Sequence, residues 1–165
     1  MTIPRELALN QIDGQLLLTS KPVAELTRLA QKPISVTSGH TKVPEQYILE
    51  FSSSKIDNYK IVLSNDMGEQ LVIGYDKSKR AYYIDRSRSG KIDFNTEFGK
   101  VANAPRFTNT DATDIKLVVD QSSVEFFADG GATVMTSIFF PSKPYNHVKV
   151  NSIKRYRIIP LKSIW

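Results

Sequence analysis

A chain of 165 residues can bury a hydrophobic core without disulfide or metal staples, and its zero cysteines exclude both disulfides and thiolate metal sites. Its 41% hydrophobic and 24% charged residues are ordinary for a globular protein, and no apolar run nears the roughly 18 residues of a membrane-spanning helix. The formal charge of +5 is a mild excess, densest near the end, and does not by itself mark a nucleic-acid binder.

The opening stretch MTIPRELALNQ lacks the charged-then-apolar layout of a signal peptide. In SKPVAELTRLAQKP, Val23, Leu26 and Leu29 or Ala30 fall at helical spacing. Pro22 suits a first helical position and Pro33 closes the segment, so one short N-terminal helix is predicted as a plug over an edge or end of the sheets.

From there the period is two. EQYILEFSSS sets Tyr47, Leu49 and Phe51 against Gln46, Ile48 and Glu50. NYKIVLSN, EQLVIGYD and RAYYIDR follow as β-branched and aromatic runs, broken by DMGE and DKSK. Residues 113–142 hold three more runs, broken by DQSS and DGG, and NHVKVNSIKRYRII adds two. Turn signals at this spacing predict an all-β fold, a two-sheet antiparallel β-sandwich, with residues 1–165 as a single domain.

Chemistry-bearing motifs are sparse. His40 and His147 each lack a second histidine at metal-ligand spacing. There is no phosphate loop and no Gly-x-Ser-x-Gly elbow, so no cofactor or metal is expected. Asp85, Asp120, Glu125 and Asp129 lie near strand ends, where aspartate commonly accepts bonds from turn N–H groups. Asp129, Gly130 and Gly131 are assigned to a turn and nothing else.

YYIDRSRSG, Tyr82 to Gly90, leaves two readings open. Alternation puts Tyr82, Ile84 and Arg86 on one face and Tyr83 and Asp85 on the other. If the first face is the core, Arg86 must be paired; if it is open, Tyr82 and Arg86 form a stacking platform beside a forked donor, suited to a sugar. Arg86, Arg88, Asp85, Tyr83, Glu50 and Glu125 are the candidate carbohydrate contacts.

MTIPREL, YYIDRSRSG followed by Phe94, LVVDQSSVEFFADGG, MTSIFFPS and LKSIW, in this order, resemble the C-terminal β-sandwich of glycoside hydrolase family 32, the invertases, levanases and inulinases. The resemblance implies a concanavalin- or laminin-G-like sandwich that stabilises or docks on a catalytic β-propeller. It also implies a secreted or cell-surface setting. The three catalytic carboxylates of that family lie in propeller motifs that match no position here, so the isolated chain is expected to be inactive. A related lineage, carbohydrate-binding module family 66, implies an alternative: a stand-alone module for fructan or fructose. A third reading, binding of acidic polymers through KRYRIIPLK, competes with outward charge on a protective edge strand. Docking predicts an exposed apolar patch, expected around Ile3, Pro4 and Leu7 or on the helix at Leu26 and Leu29.

Overall fold

The structure, a computed structural model, describes residues 2–37 and 39–162. Its strands, in chain order, are β1 (Arg5–Ile12), β2 (Gln15–Pro22), β3 (Ile34–Val36), β4 (Gly39–Lys42), β5 (Tyr47–Ser53), β6 (Tyr59–Ser64) and β7 (Gln70–Asp76). They continue as β8 (Ala81–Arg88), β9 (Ala102–Pro105), β10 (Thr113–Val119), β11 (Ser123–Ala128), β12 (Thr133–Ile138), β13 (His147–Asn151) and β14 (Tyr156–Pro160). Two six-stranded antiparallel sheets stack as a sandwich. The front sheet runs β12-β11-β10-β5-β14-β3 and the back sheet β4-β13-β6-β7-β8-β9, while β1 and β2 form a separate hairpin. Among the described residues, no helix is long and apolar enough to cross a membrane.

Strict alternation explains the core. Tyr47, Leu49 and Phe51 point inward from β5 against Ile61, Leu63 and Ile73 of the back sheet. Ile48 turns to the opposite face of the front sheet. There, with Val118 and Phe127, it forms a second apolar cluster covered by Ile3, Leu26 and Leu161. Such burial is the main source of stability, at about 1.5–3 kcal/mol per large apolar side chain.

The predicted helix is a six-residue 3₁₀ segment, Ala24–Leu29. Leu26 N–H donates to Val23 O and Ala30 N–H to Thr27 O, the i→i+3 spacing of the tighter helix. Pro22 is the last residue of β2, paired with Arg5, and does not open the helix. The stretch between Pro22 and Pro33 leaves too few residues for a stable α-helix. Leu26 makes the segment a plug on the outer face of the front sheet.

β14 lies between β5 and β3, so its cations do not guard an edge. Arg157 and Lys116 instead flank Glu50, with Lys116 Nζ at 3.7 Å. In the back sheet, Gln70 pairs with Arg88 but Val72 pairs with Asp85, which leaves one extra residue in β8. This β-bulge kinks the strand within the DRSRSG motif.

The turn at Asp129 does more than reverse the chain, correcting its assignment to turn chemistry alone. The Asp129 carboxylate is buried and accepts from Arg106 Nε at 2.9 Å, from Arg106 Nη2 at 3.0 Å and from the Tyr82 hydroxyl at 2.7 Å. The pair ties the β9–β10 connection and the back sheet to the tip of the β11–β12 hairpin. Burial acts to lower the Arg106 pKa, but the hydrogen bonds and charge of Asp129 outweigh it and raise the value. Gly130 adopts φ 65°, and a Cβ there would meet Lys21 only at 4.0 Å. Gly130→Ala is expected to cost about 1 kcal/mol from backbone strain alone, read as a shifted urea midpoint with unchanged slope.

Candidate functional site

β8 resolves the two readings of its motif. Tyr82 and Ile84 are 0% and 1% exposed, so theirs is the core face and Tyr82 cannot serve as a surface platform. Arg86 follows at the rim. Its guanidinium stacks on Phe98 at 4.0 Å from the ring centroid, and Nη1 donates to Ser137 Oγ and Ile138 O at 3.4 Å each. These contacts stitch the back sheet to β12 of the front sheet. Burial lowers the Arg86 pKa, and the ring face and carbonyl satisfy the cation. Arg88 lies beyond the bulge, exposed, 3.4 Å from Gly68 O.

The six candidate residues do not converge. Glu50 and Glu125 occupy the outer face of the front sheet. Glu50 is held by Arg157 and Lys116, and Glu125, 3% exposed, accepts from Arg5 Nε at 3.0 Å and from the Ile3 N–H. The N-terminal arm therefore covers Glu125 and holds its carboxylate in an ion pair with Arg5. Tyr83 and Asp85 lie on the outer face of the back sheet, on the opposite side of the sandwich.

Around Tyr83 the register builds a continuous row. Asn151 pairs with Lys60, Lys60 with Gly74, Gly74 with Tyr83, and Tyr83 with Asn103, so one rung of β13, β6, β7, β8 and β9 is set out in line. A Cβ on Gly74 would stand 2.6 Å from Tyr83 Oη and 2.7 Å from Cζ. The absent side chain is what lets the ring lie across β7. A trough of about 550 Å³ follows this row, lined also by Asp76, Lys79 and Asp85. Partial burial, then the charges of Asp76 and Asp85, raise the Tyr83 pKa.

A second surface lies on the β1–β2 hairpin. Asp13 and Gly14 take φ 48° and 80°, the positive pair that a tight two-residue turn requires. Leu9 pairs with Leu18, and Leu7 and Leu16 flank them on the same face. These four leucines are 60–68% exposed. Among the residues expected to form an apolar patch, Leu7 belongs to this face and Pro4 is exposed, Leu29 is half-buried, and Ile3 and Leu26 pack against the second apolar cluster. The readable signal was Asp-Gly between alternating leucines. The row through Lys60, Gly74, Asn103 and Asn151 has no local signal, since cross-strand register depends on the whole sheet.

Among the described residues the fold is a two-sheet antiparallel sandwich whose carboxylates are dispersed and whose first hairpin carries an open apolar face. The family model for the C-terminal domain of glycosyl hydrolases family 32 matches residues 17–162, and the chain belongs to that family. It is 31% identical to an extracellular exo-inulinase of Aspergillus awamori over 92% of this chain and 31% of that protein. It is 30% identical to a sucrose-6-phosphate hydrolase of Vibrio alginolyticus over 99% of this chain and 32% of that protein. The crystal structure of the A. awamori exo-inulinase superposes with a TM-score of 0.86 at 27% identity, covering 99% of this chain and 36% of that one. The chain thus spans about a third of the length of these relatives. LKSIW, one of the motifs behind the resemblance, falls partly on residues 163–165, outside the described residues.

Proposed function

We propose that this chain is the non-catalytic C-terminal sandwich of a β-fructosidase and that it docks on, and stabilises, the enzyme's catalytic propeller. The four-leucine face of the β1–β2 hairpin carries the reading. It lies at the N-terminal side of a domain whose relatives extend about twofold further, and an open apolar face of this kind is normally covered. The relatives named exo-inulinase and sucrose-6-phosphate hydrolase support a fructoside as the parent enzyme's substrate. The extracellular exo-inulinase supports a secreted setting. Catalysis belongs to the propeller, and the sandwich acts by adhesion.

The test pairs Leu9→Ser with Leu18→Ser. In the 165-residue chain the double variant is expected to change stability by no more than about 1 kcal/mol, since the two leucines face solvent. In the full polypeptide, with the propeller in frame, it is expected to split one calorimetric transition into two. A single unchanged transition there would refute docking through this face. Release of fructose from levan or inulin by the homogeneous 165-residue chain would refute the non-catalytic assignment.

A further inference from the structure

The back-sheet trough is on the other side of the sandwich from the second apolar cluster, and the docking reading makes no use of it. Its composition is specific. An aromatic ring forms the floor, pinned over Gly74. Exposed Asn103 and Asn151 stand at the two ends of the row and exposed Lys60 stands between them. Two carboxylates, Asp76 and Asp85, balance two ammonium groups, Lys60 and Lys79, so the lining has no net charge. Four strand spacings separate Asn151 from Asn103, about 19 Å at roughly 4.8 Å each.

Each feature selects against other ligands. A neutral lining gives an acidic polymer no electrostatic advantage. One half-covered ring and the exposed Val101 are too little apolar surface for a lipid or a drug-like aromatic. A sugar chain, by contrast, presents apolar ring faces to stack on tyrosine and hydroxyls that both donate and accept. Amides, carboxylates and ammonium groups provide both kinds of partner. The row crosses the sheet in a straight line, so the ligand it fits is extended over several rings and is not a single sugar at a pocket bottom. We infer that the outer face of the back sheet, along Asn151, Lys60, Tyr83 and Asn103, binds an extended neutral oligosaccharide. Asp85, two residues further along β8 on the same face, lies within reach of the same chain. Affinity is modest because one stacked ring and a few ordered side chains carry it.

Affinity electrophoresis of the 165-residue chain through gels containing levan, inulin, a neutral glucan or dextran sulfate tests this. Retardation by at least one neutral polysaccharide is expected, and Tyr83→Ala and Asn103→Ala are each expected to weaken it at least about tenfold. Asn103 is exposed on an edge strand, so that variant remains informative if Tyr83→Ala does not fold. The Leu9→Ser, Leu18→Ser variant is expected to bind like the parent chain, which separates this site from the docking face. No retardation of folded protein by any neutral polysaccharide, retardation by dextran sulfate alone, or full retention in the Asn103→Ala variant would each overturn the inference.

Discussion

Asp129→Asn is expected to destabilise the domain by about 3–5 kcal/mol, the usual result of removing one partner from a buried ion pair. The side chains of Arg106 and Asp129 are 3% and 4% exposed, so water cannot replace the lost carboxylate. Asparagine keeps the carboxylate's shape and tolerates the left-handed backbone at φ 52°, so the variant isolates the charge from the turn conformation. What remains around Arg106 is a set of carbonyls, Thr110 O at 2.6 Å, Ala112 O at 2.8 Å and Thr108 O at 3.4 Å, together with the Tyr82 hydroxyl. These can solvate a guanidinium but cannot neutralise it. Equilibrium urea denaturation at neutral pH provides the measurement. The double variant Asp129→Asn with Arg106→Met is expected to recover part of the loss, because it leaves no orphaned charge and keeps a residue that tolerates φ 52°. A single-variant loss below about 1 kcal/mol would mean that the carbonyl cage, not the aspartate, holds the arginine.

The same residues show which parts of this fold a linear reading reaches. Alternation at Tyr47, Leu49 and Phe51 separated the core face from the outer face because a half-buried strand repeats every two residues. It also placed Tyr83 and Asp85 together, opposite Tyr82 and Ile84. DMGE, DKSK, DQSS and DGG punctuated the strands because their local conformations need those residues. Helical spacing at Val23, Leu26 and Leu29 identified an apolar stripe correctly but not its pitch, which the flanking prolines and short length decide. Whatever depends on distant chain segments stayed hidden. Arg5 and Ile3 cover Glu125 from some 120 residues away, and Arg106 reaches Asp129 across 23. The trough needs five strands in register, and no short stretch encodes that.

Gly131→Ala is expected to be far more damaging than Gly130→Ala, although both glycines have positive φ. At Gly130 the space beside the backbone is open. At Gly131, with φ 88°, an added Cβ would sit 2.3 Å from Ser20 O and 2.9 Å from its carbonyl carbon. These are backbone atoms of β2 and cannot swing aside as a side chain would. The collision must therefore push the β1–β2 hairpin off the β11–β12 turn or bend the turn itself. Strain of about 1–3 kcal/mol for the backbone conformation adds to a steric term of similar size, a loss of roughly 3–5 kcal/mol. At about 2–4 °C per kcal/mol for a domain this large, the melting temperature is expected to fall by roughly 6–20 °C, against a few degrees for Gly130→Ala. Limited proteolysis supplies the spatial readout: cleavage in β1 or β2 should accelerate in Gly131→Ala before the sandwich core opens. Equal, small losses for the two variants would show that the hairpin is seated elsewhere. Because the four leucines ride on this hairpin, Gly131 also sets the angle at which the docking face meets its partner. A displaced hairpin in the full polypeptide should then weaken inter-domain coupling with every leucine still in place.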